Sequence, residues 1–241
     1  MAFYDTRVGK LYVAQYDLTS FTREASTPLD RPLRDVQVYG NTGFKGIPGH
    51  HQDTLAWRGL FDDGASGSDV ILNALRGASS SQVVSIFHGD SVLGNMGLTS
   101  GEMWVEGALH EARVGNAVSA SFDAQLGAAA RSKSLGPKQT VTSTDSGTSI
   151  DDSASSSDGG TWAYHVLAWS ATGGNARWQL VLQDSANNST FATVASESVN
   201  ITAVGAAFRT FTGTLRRYVR IRAVLDATSG SLEFIGAYER S

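Results

Sequence analysis

The chain has 241 residues, of which 41% are apolar, 17% charged and 26 are glycine, enough apolar material to bury the core of one large β domain or two ordinary ones. With no cysteine, it has neither disulfides nor thiolate metal sites nor a cysteine nucleophile. The net charge of −4 is uneven: 10 basic against 14 acidic residues over 1–131, 2 against 4 over 132–160 and 7 against 5 over 161–241, so no part carries the basic footprint of a tight nucleic-acid binder.

Taken in order, Met1-Ala-Phe-Tyr-Asp-Thr-Arg7 has no apolar signal core, which points to synthesis in a cytosol. Lys10–Tyr16 reads as a strand ending in an Asp17-Leu-Thr-Ser turn, and the polar segment 22–32, with Pro28 and Pro32, reads as a loop. Leu33–Tyr39 carries a moderate strand pattern. The four glycines and one proline of Gly40–Gly49 predict a long irregular loop, of the kind that is often functional. The stretch from Asp53 to His88 organises the first half. Leu55, Trp57, Gly59 and Phe61 alternate with Thr54, Ala56 and Arg58, as in a half-buried strand. A helix over about 68–77 follows the Asp62–Gly67 turn, with Ser68 as the expected cap, Val70, Ile71, Ala74 and Leu75 on one side, and Gly77 ending it. Gln82–Phe87 is the next strand and Asp90–Gly101 the next expected loop. Met103, Val105, Gly107 and Leu109 then alternate with Trp104, Glu106, Ala108 and His110. Val118–Leu126 alternates more cleanly, and Gly115-Asn116 suggests an antiparallel hairpin between the two.

From Gly127 the composition turns to Ala, Ser, Thr, Asp and Gly, and Ala128–Lys138 is expected to be an interdomain linker. This predicts a domain over 1–134 and a second over 135–241. The second half has aromatic-rich strands at Trp162–Trp169 and Arg177–Gln183, then strands near 190–199, 207–212, 215–224 and 231–239. Such spacing fits an immunoglobulin-like or jelly-roll β-sandwich. The fold class is therefore all-β with one flanking helix.

No phosphate loop, dinucleotide fingerprint or nucleophile elbow is present. His50-His51 with Asp53 is the best metal-like feature, but adjacent strand residues point to opposite faces, and Asp62-Asp63-Gly64 lacks the remaining ligands of a calcium loop. Glu102, Glu106 and Glu111 offer carboxylate pairs of a glycosidase type, or simply the exposed face of a strand. Trp162, Trp169 and Trp178 suit either a sugar-stacking platform or a core, with the core favoured because Trp178 shares a face with Leu180 and Leu182. Arg216, Arg217, Arg220 and Arg222 form a basic run that either meets an anionic partner or is solvated.

Tyr16-Asp-Leu-Thr-Ser20, Tyr39-Gly-Asn-Thr-Gly-Phe-Lys-Gly-Ile-Pro-Gly-His50, Leu60-Phe-Asp-Asp-Gly64 and the Gly101–Phe122 hairpin together resemble the major tail tube proteins of bacteriophages with long non-contractile tails. The resemblance spans about residues 8–126. Thr161-Trp-Ala-Tyr-His165, the segment Val181–Phe191 and Arg216-Arg-Tyr-Val-Arg-Ile221 are similar to β-sandwich modules appended to phage tail proteins. The resemblance implies a non-enzymatic virion protein without cofactor, a homohexamer whose rings stack into a tube, contact other tail proteins at its ends and conduct double-stranded DNA without binding it specifically. It implies inter-ring contacts from the Gly40–Gly49 loop through Asn41, Phe44, Lys45, Ile47 and His50. Alternation suggests Glu106 and Asp123 as lumen-facing. An outward second domain would leave Trp162, Trp169, Arg220 and Arg222 to meet a host-surface glycan. The rival expectation is a tail adhesin or decoration protein that binds carbohydrate through this domain.

Overall fold

The computed structural model describes residues 9–27, 33–36, 45–48, 53–89, 93–111, 118–127 and 129–241. Its first strands are β1 (Lys10–Val13), β2 (Tyr16–Asp17), β3 (Thr22–Ser26), β4 (Leu33–Val36), β5 (Lys45–Pro48) and β6 (Asp53–Leu60), followed by helix α1 (Ser68–Arg76). Then come β7 (Gln82–Phe87), β8 (Met96–Glu111), β9 (Ser119–Leu126), β10 (Ala129–Ser134), β11 (Gln139–Val141), β12 (Asp145–Ser146) and β13 (Ile150–Asp151). The last six are β14 (Gly160–Thr172), β15 (Arg177–Ser185), β16 (Ala192–Ile201), β17 (Gly205–Phe211), β18 (Tyr218–Asp226) and β19 (Ser229–Arg240). The all-β class with one helix holds, and every registered strand pair is antiparallel.

The described residues fall into two compact units. Unit 1 draws on Met1–Ser20, Gln82–Gly101 and Ala130–Ser241, and unit 2 on Phe21–Ser81 and Glu102–Ala129. These units do not follow a single cut after residue 134, because β1, β2, β7 and the start of β8 belong with the C-terminal half. Nor is Ala128–Lys138 a linker: Ala129–Ser134 is β10, seated between β19 and β8, and Leu135 is buried.

In unit 1, β17, β14, β19, β10, β8, β7, β1 and β2 are neighbours in that order, and a second sheet runs β12, β18, β15, β16 with β13 on β18. Period-two alternation makes these two sheets a sandwich. Trp162, Tyr164 and Val166 of β14 and Leu232, Phe234 and Tyr238 of β19 meet Trp178, Leu180 and Leu182 of β15 and Val219 and Ile221 of β18 in one core. The opposite face of β14 and β19 is covered too, since Ile235 and Ala237 pack with Tyr12 and Phe87.

Unit 2 is the antiparallel sheet β3-β6-β9-β8 with α1 against it. The expected hairpin is present, with Met103 opposite Leu126 and Glu111 opposite Ser119. Residues 112–117, including its Gly115-Asn116 turn, lie outside the described residues. Leu55 and Trp57 of β6 and Ala120, Phe122, Ala124 and Leu126 of β9 are buried, with Trp57 stacked on Phe122 at 5.3 Å. The helix buries Ser68, Ile71, Leu72 and Leu75, whereas Val70 and Ala74 are exposed. Gly67 is the N-cap, with no side-chain cap bond. Ser68 instead ties the preceding turn: its Oγ donates to the Leu60 carbonyl (2.7 Å) and accepts from the Asp62 N–H (3.0 Å). Part of the expected 22–32 loop is strand β3, and Lys45–Pro48 pairs as β5 with β4 rather than lying in an irregular loop.

Candidate interaction surface

Antiparallel pairing sorts the residues of unit 2 by face, because directly opposed residues share one. Met103, Val105, Ala108 and His110 share the core side with Leu126, Ala124, Phe122 and Ala120. Trp104, Gly107, Leu109 and Glu111 lie on the other face with Gln125, Asp123, Ser121 and Ser119, extended on β6 by Thr54, Ala56, Arg58 and Leu60. On this outer face Trp104 is 49% exposed and Leu109 62%. Solvated sheet faces normally alternate toward polar residues, and a large aromatic and a leucine on one exposed face make it the candidate for contact with another chain.

A β-bulge shapes the face. The register shifts between Val105 and Gly107, and Glu106 is the extra residue. Gly107, whose missing Cβ would meet nothing within 4 Å, leaves open space opposite Asp123. The resulting dent, about 300 Å³, is lined by Arg58, Gly107, Leu109, Ser121 and Asp123 among others. Glu106 and Asp123 are both exposed and are brought together at the bulge. Glu102 and Glu111 sit at opposite ends of the paired part of β8. On the core side, His110 stacks edge-on to Phe61 and lies 3.3 Å from an Asp69 oxygen, joining the hairpin to the helix.

Of the residues proposed for the Gly40–Gly49 loop, Asn41, Phe44 and His50 lie outside the described residues, as does His51, while Lys45 and Ile47 belong to β5. Among the described residues no cluster of His, Asp and Glu could hold a metal ion. Asp62 accepts from the Gly64 N–H at 2.9 Å, so a turn accounts for Asp62-Asp63-Gly64.

Of the two readings of the second-half tryptophans, a sugar platform and the favoured core, Trp162 and Trp178 follow the core. Trp162 and Trp178 are core, their indole N–H groups donating to Glu197 (2.8 Å) and the Ser170 carbonyl (3.0 Å). Trp169 is half-buried and donates to the Ile201 carbonyl. The basic run is partly neutralised inside the protein. Arg217 forks onto Asp151 with two bonds of 2.6 Å, which together with the Ser153 N–H pulls that carboxyl down to about 2. Arg216 lies 3.6 Å from Asp184, and Arg240 bonds Asp152. Burial alone would raise the Asp152 pKa, but bonds from Lys133, Tyr238 and Arg240 outweigh it and hold the group below its ordinary value. Arg220 and Arg222 stay on the outer face of the five-stranded sheet, opposite Gln183 and Val181.

One buried polar chain escaped the sequence reading. His165 is fully buried, its Nδ1 2.8 Å from the Ala14 carbonyl and its Nε2 2.8 Å from Ser85 Oγ, which continues to Thr99 Oγ1 (3.1 Å) and Ser132 Oγ (2.7 Å). A carbonyl can only accept, so in the neutral ring Nδ1 carries the proton and Nε2 accepts from Ser85. The direction of every remaining bond follows: Ser132 donates to Thr99 and Thr99 to Ser85. Burial pushes His165 down to about 4, the Ala14 carbonyl only partly opposing it. Ser85 and His165 lie too deep to meet a substrate, so the chain acts as a buried tie among β14, β7, β8, β10 and the turn at Ala14.

No family model matches this sequence, and no curated protein does. Three solved structures align with it distantly. A chain of the virion of a native gene transfer agent particle aligns with 49% of this chain and 92% of its own, at 12% identity and a TM-score of 0.38. The SPP1 Dit (gp 19.1) protein, described as a paradigm of the hub adsorption apparatus of phages infecting Gram-positive hosts, aligns over 95% of this chain and 98% of its own, at 14% identity and a TM-score of 0.33. A chain of the phage p2 baseplate in its activated, Sr-bound conformation aligns over 97% and 99%, at 8% identity and 0.32. These likenesses are distant. They assign this chain to no family.

Proposed function

We propose that this chain is a non-enzymatic structural protein of a bacteriophage tail whose copies close into hexameric rings that stack into a tube and conduct the genome at ejection. The observation that carries the reading is the outer face of unit 2, where Trp104 and Leu109 stand exposed on a regular sheet around the bulge dent. A ring requires each copy to bury part of its surface on the next, and a flat face with an aromatic anchor suits that role. The Leu60–Gly64 turn into a helix and the hairpin, two motifs of the tail-tube resemblance, lie together in this same unit. Asp123 lines the dent on this same face, so the reading places it in the contact between copies rather than toward the DNA channel.

Electron microscopy of the purified full chain in negative stain is the test. Hollow rings or cylinders are the expected result, abolished by Trp104→Glu with Leu109→Glu. A protein that stays monomeric at high concentration, or that assembles equally well with both substitutions, contradicts the proposal. Against the adhesin alternative, Trp162 and Trp178 lie in the core and Trp169 is half-buried, while Arg220 and Arg222 lie on the outer face of a sheet of unit 1.

A further inference from the structure

The outer face of the five-stranded sheet in unit 1 carries bonding capacity that the protein does not use. Val219, Ile221 and Ala223 of β18 and Leu180 and Leu182 of β15 fill the core, so Arg220, Arg222, Gln179, Val181 and Gln183 lie on the opposite face. The registers then align one cross-strand row: Ser146 opposite Arg222, Arg222 opposite Val181, and Val181 opposite Ser198. Arg222 Nε and Ser198 Oγ are both buried, and neither has a hydrogen-bond partner in the described protein. An unmet buried polar group costs about 1–3 kcal/mol, so this row offers a donor and a hydroxyl for a water or an anion to meet.

The charge on this face is unbalanced as well. Arg177, Arg209, Arg216, Arg217 and Arg240 each have a carboxylate within ion-pair distance. Arg220 has instead the neutral Gln183, whose Oε1 accepts from its Nε (3.0 Å) and Nη2 (2.8 Å), and it lies 3.7 Å above the Phe191 ring. Asp145, next to Ser146, pairs opposite Ala223 and forms no ion pair with either arginine among the described residues. Burial, and then the neighbouring charge of Arg222, lower the Arg220 pKa, as expected of like charges without a counterion. On the next row Gln179 donates to Asn200 at 3.4 Å, leaving amide groups beside the arginines.

We propose that Arg220, Arg222 and Ser198 form an oxyanion-binding site on the outer face of the five-stranded sheet, which takes the phosphate or carboxylate of a hydroxyl-bearing ligand while Gln179 and Asn200 meet its hydroxyls. Guanidinium forks match the oxygens of such a group in pairs, and amides exchange donors and acceptors with sugar-like hydroxyls. The site is independent of the ring reading, and its test succeeds or fails whether or not the chain assembles.

Calorimetric titration of the full chain with inorganic phosphate, glucose 6-phosphate, glucuronate and glucose tests it. Phosphate and both charged sugars bind, the charged sugars more tightly than phosphate, and glucose does not. Arg222→Gln weakens binding by about tenfold or more, whereas Arg217→Gln, which alters a guanidinium already held by Asp151, leaves it unchanged. Thermal unfolding confirms that the variants fold, and Ser198→Ala, a smaller change in the same row, also weakens binding. The proposal is overturned by absence of binding to all three anions, by glucose binding as well as its phosphate ester, or by equal weakening in Arg217→Gln. Equal affinity for phosphate and the sugar phosphate removes Gln179 and Asn200 from the site.

Discussion

Acidification acts on unit 1 through His165. Burial in the folded protein pushes its pKa down to about 4 from an ordinary value of 6.5, the hydrogen bond to the Ala14 carbonyl only partly opposing the shift. A base whose folded pKa is depressed leaves stability intact above its unfolded pKa and removes it as pH falls below that value. The difference of 6.5 − 4 = 2.5 pH units corresponds to about 3 kcal/mol at full protonation, with about 2 kcal/mol already lost near pH 5. The loss levels off below about pH 4, where both states carry the proton. Urea unfolding of the wild type and of His165→Gln, at several pH values from about 7 down to about 4.5, reads this directly. Gln keeps a donor and an acceptor but cannot titrate. It is expected to lower stability at neutral pH and to flatten the pH dependence across that window. A wild type equally stable at both ends, or a slope that persists in the Gln variant, refutes the assignment.

Gly59→Ala would put a Cβ 2.4 Å from the Phe21 carbonyl and 2.3 Å from the Trp57 ring, so unit 2 should lose about 1–3 kcal/mol in urea unfolding. Leu72→Ala, which empties a fully packed position under the sheet, should cost about 2–5 kcal/mol in the same assay, whereas Val70→Ala on the exposed side of the helix should change little. Trp104→Glu and Leu109→Glu should leave monomer stability within about 0.5 kcal/mol, so their expected block of ring assembly in the microscope separates contact loss from misfolding. Asp152→Ala strands Lys133 and Arg240 and frees the Tyr238 hydroxyl. It should cost about 3 kcal/mol and remove the loss of stability that protonating Asp152 causes on the acid side, in a window below that of His165.

Where one sheet face is solvated, the sequence spells out its structure. Ala120, Phe122, Ala124 and Leu126 alternate with Ser121, Asp123 and Gln125, and an antiparallel hairpin partner could be read directly; the bulge at Glu106, which moves Gly107 and Leu109 to the face of Trp104 and Ala108 and His110 to that of Met103, could not. The Trp178, Leu180 and Leu182 face likewise gave a core. Ion pairs were beyond reach, because the partners of Arg216 and Arg217 are Asp184 and Asp151, far away in the chain. The helix stripe differs from the expected one: Val70 and Ala74 are exposed and Leu72 is buried beside Ile71 and Leu75, a choice set by how α1 meets the sheet and not by spacing alone. Strand β10 was missed for a different reason. Ala130, Ser132 and Ser134 are its buried residues, and Ser132 is there to complete the His165 chain, so a central strand looks like a polar linker.

The same confusion explains the misplaced domain cut. Gly94 and Gly97 make the segment up to Gly101 look like a loop, yet Gly97 and Gly101 both lie in β8, a strand of 16 residues divided between the two units. A Cβ at Gly97 would sit 2.4 Å from the Ile86 carbonyl, and one at Gly101 would sit 2.8 Å from the Phe208 ring. These glycines admit close neighbours to an extended backbone instead of breaking it. Glycine in a strand and glycine in a loop carry the same letter, and only the neighbour that fills the space of the missing side chain tells them apart. β8 is divided between the units at Gly101/Glu102: up to Gly101 it belongs with β7 and β10 in unit 1, and from Glu102 it pairs with β9 in unit 2. Residues 82–101 therefore fold with 130–241, and the chain cannot be divided into two successive segments.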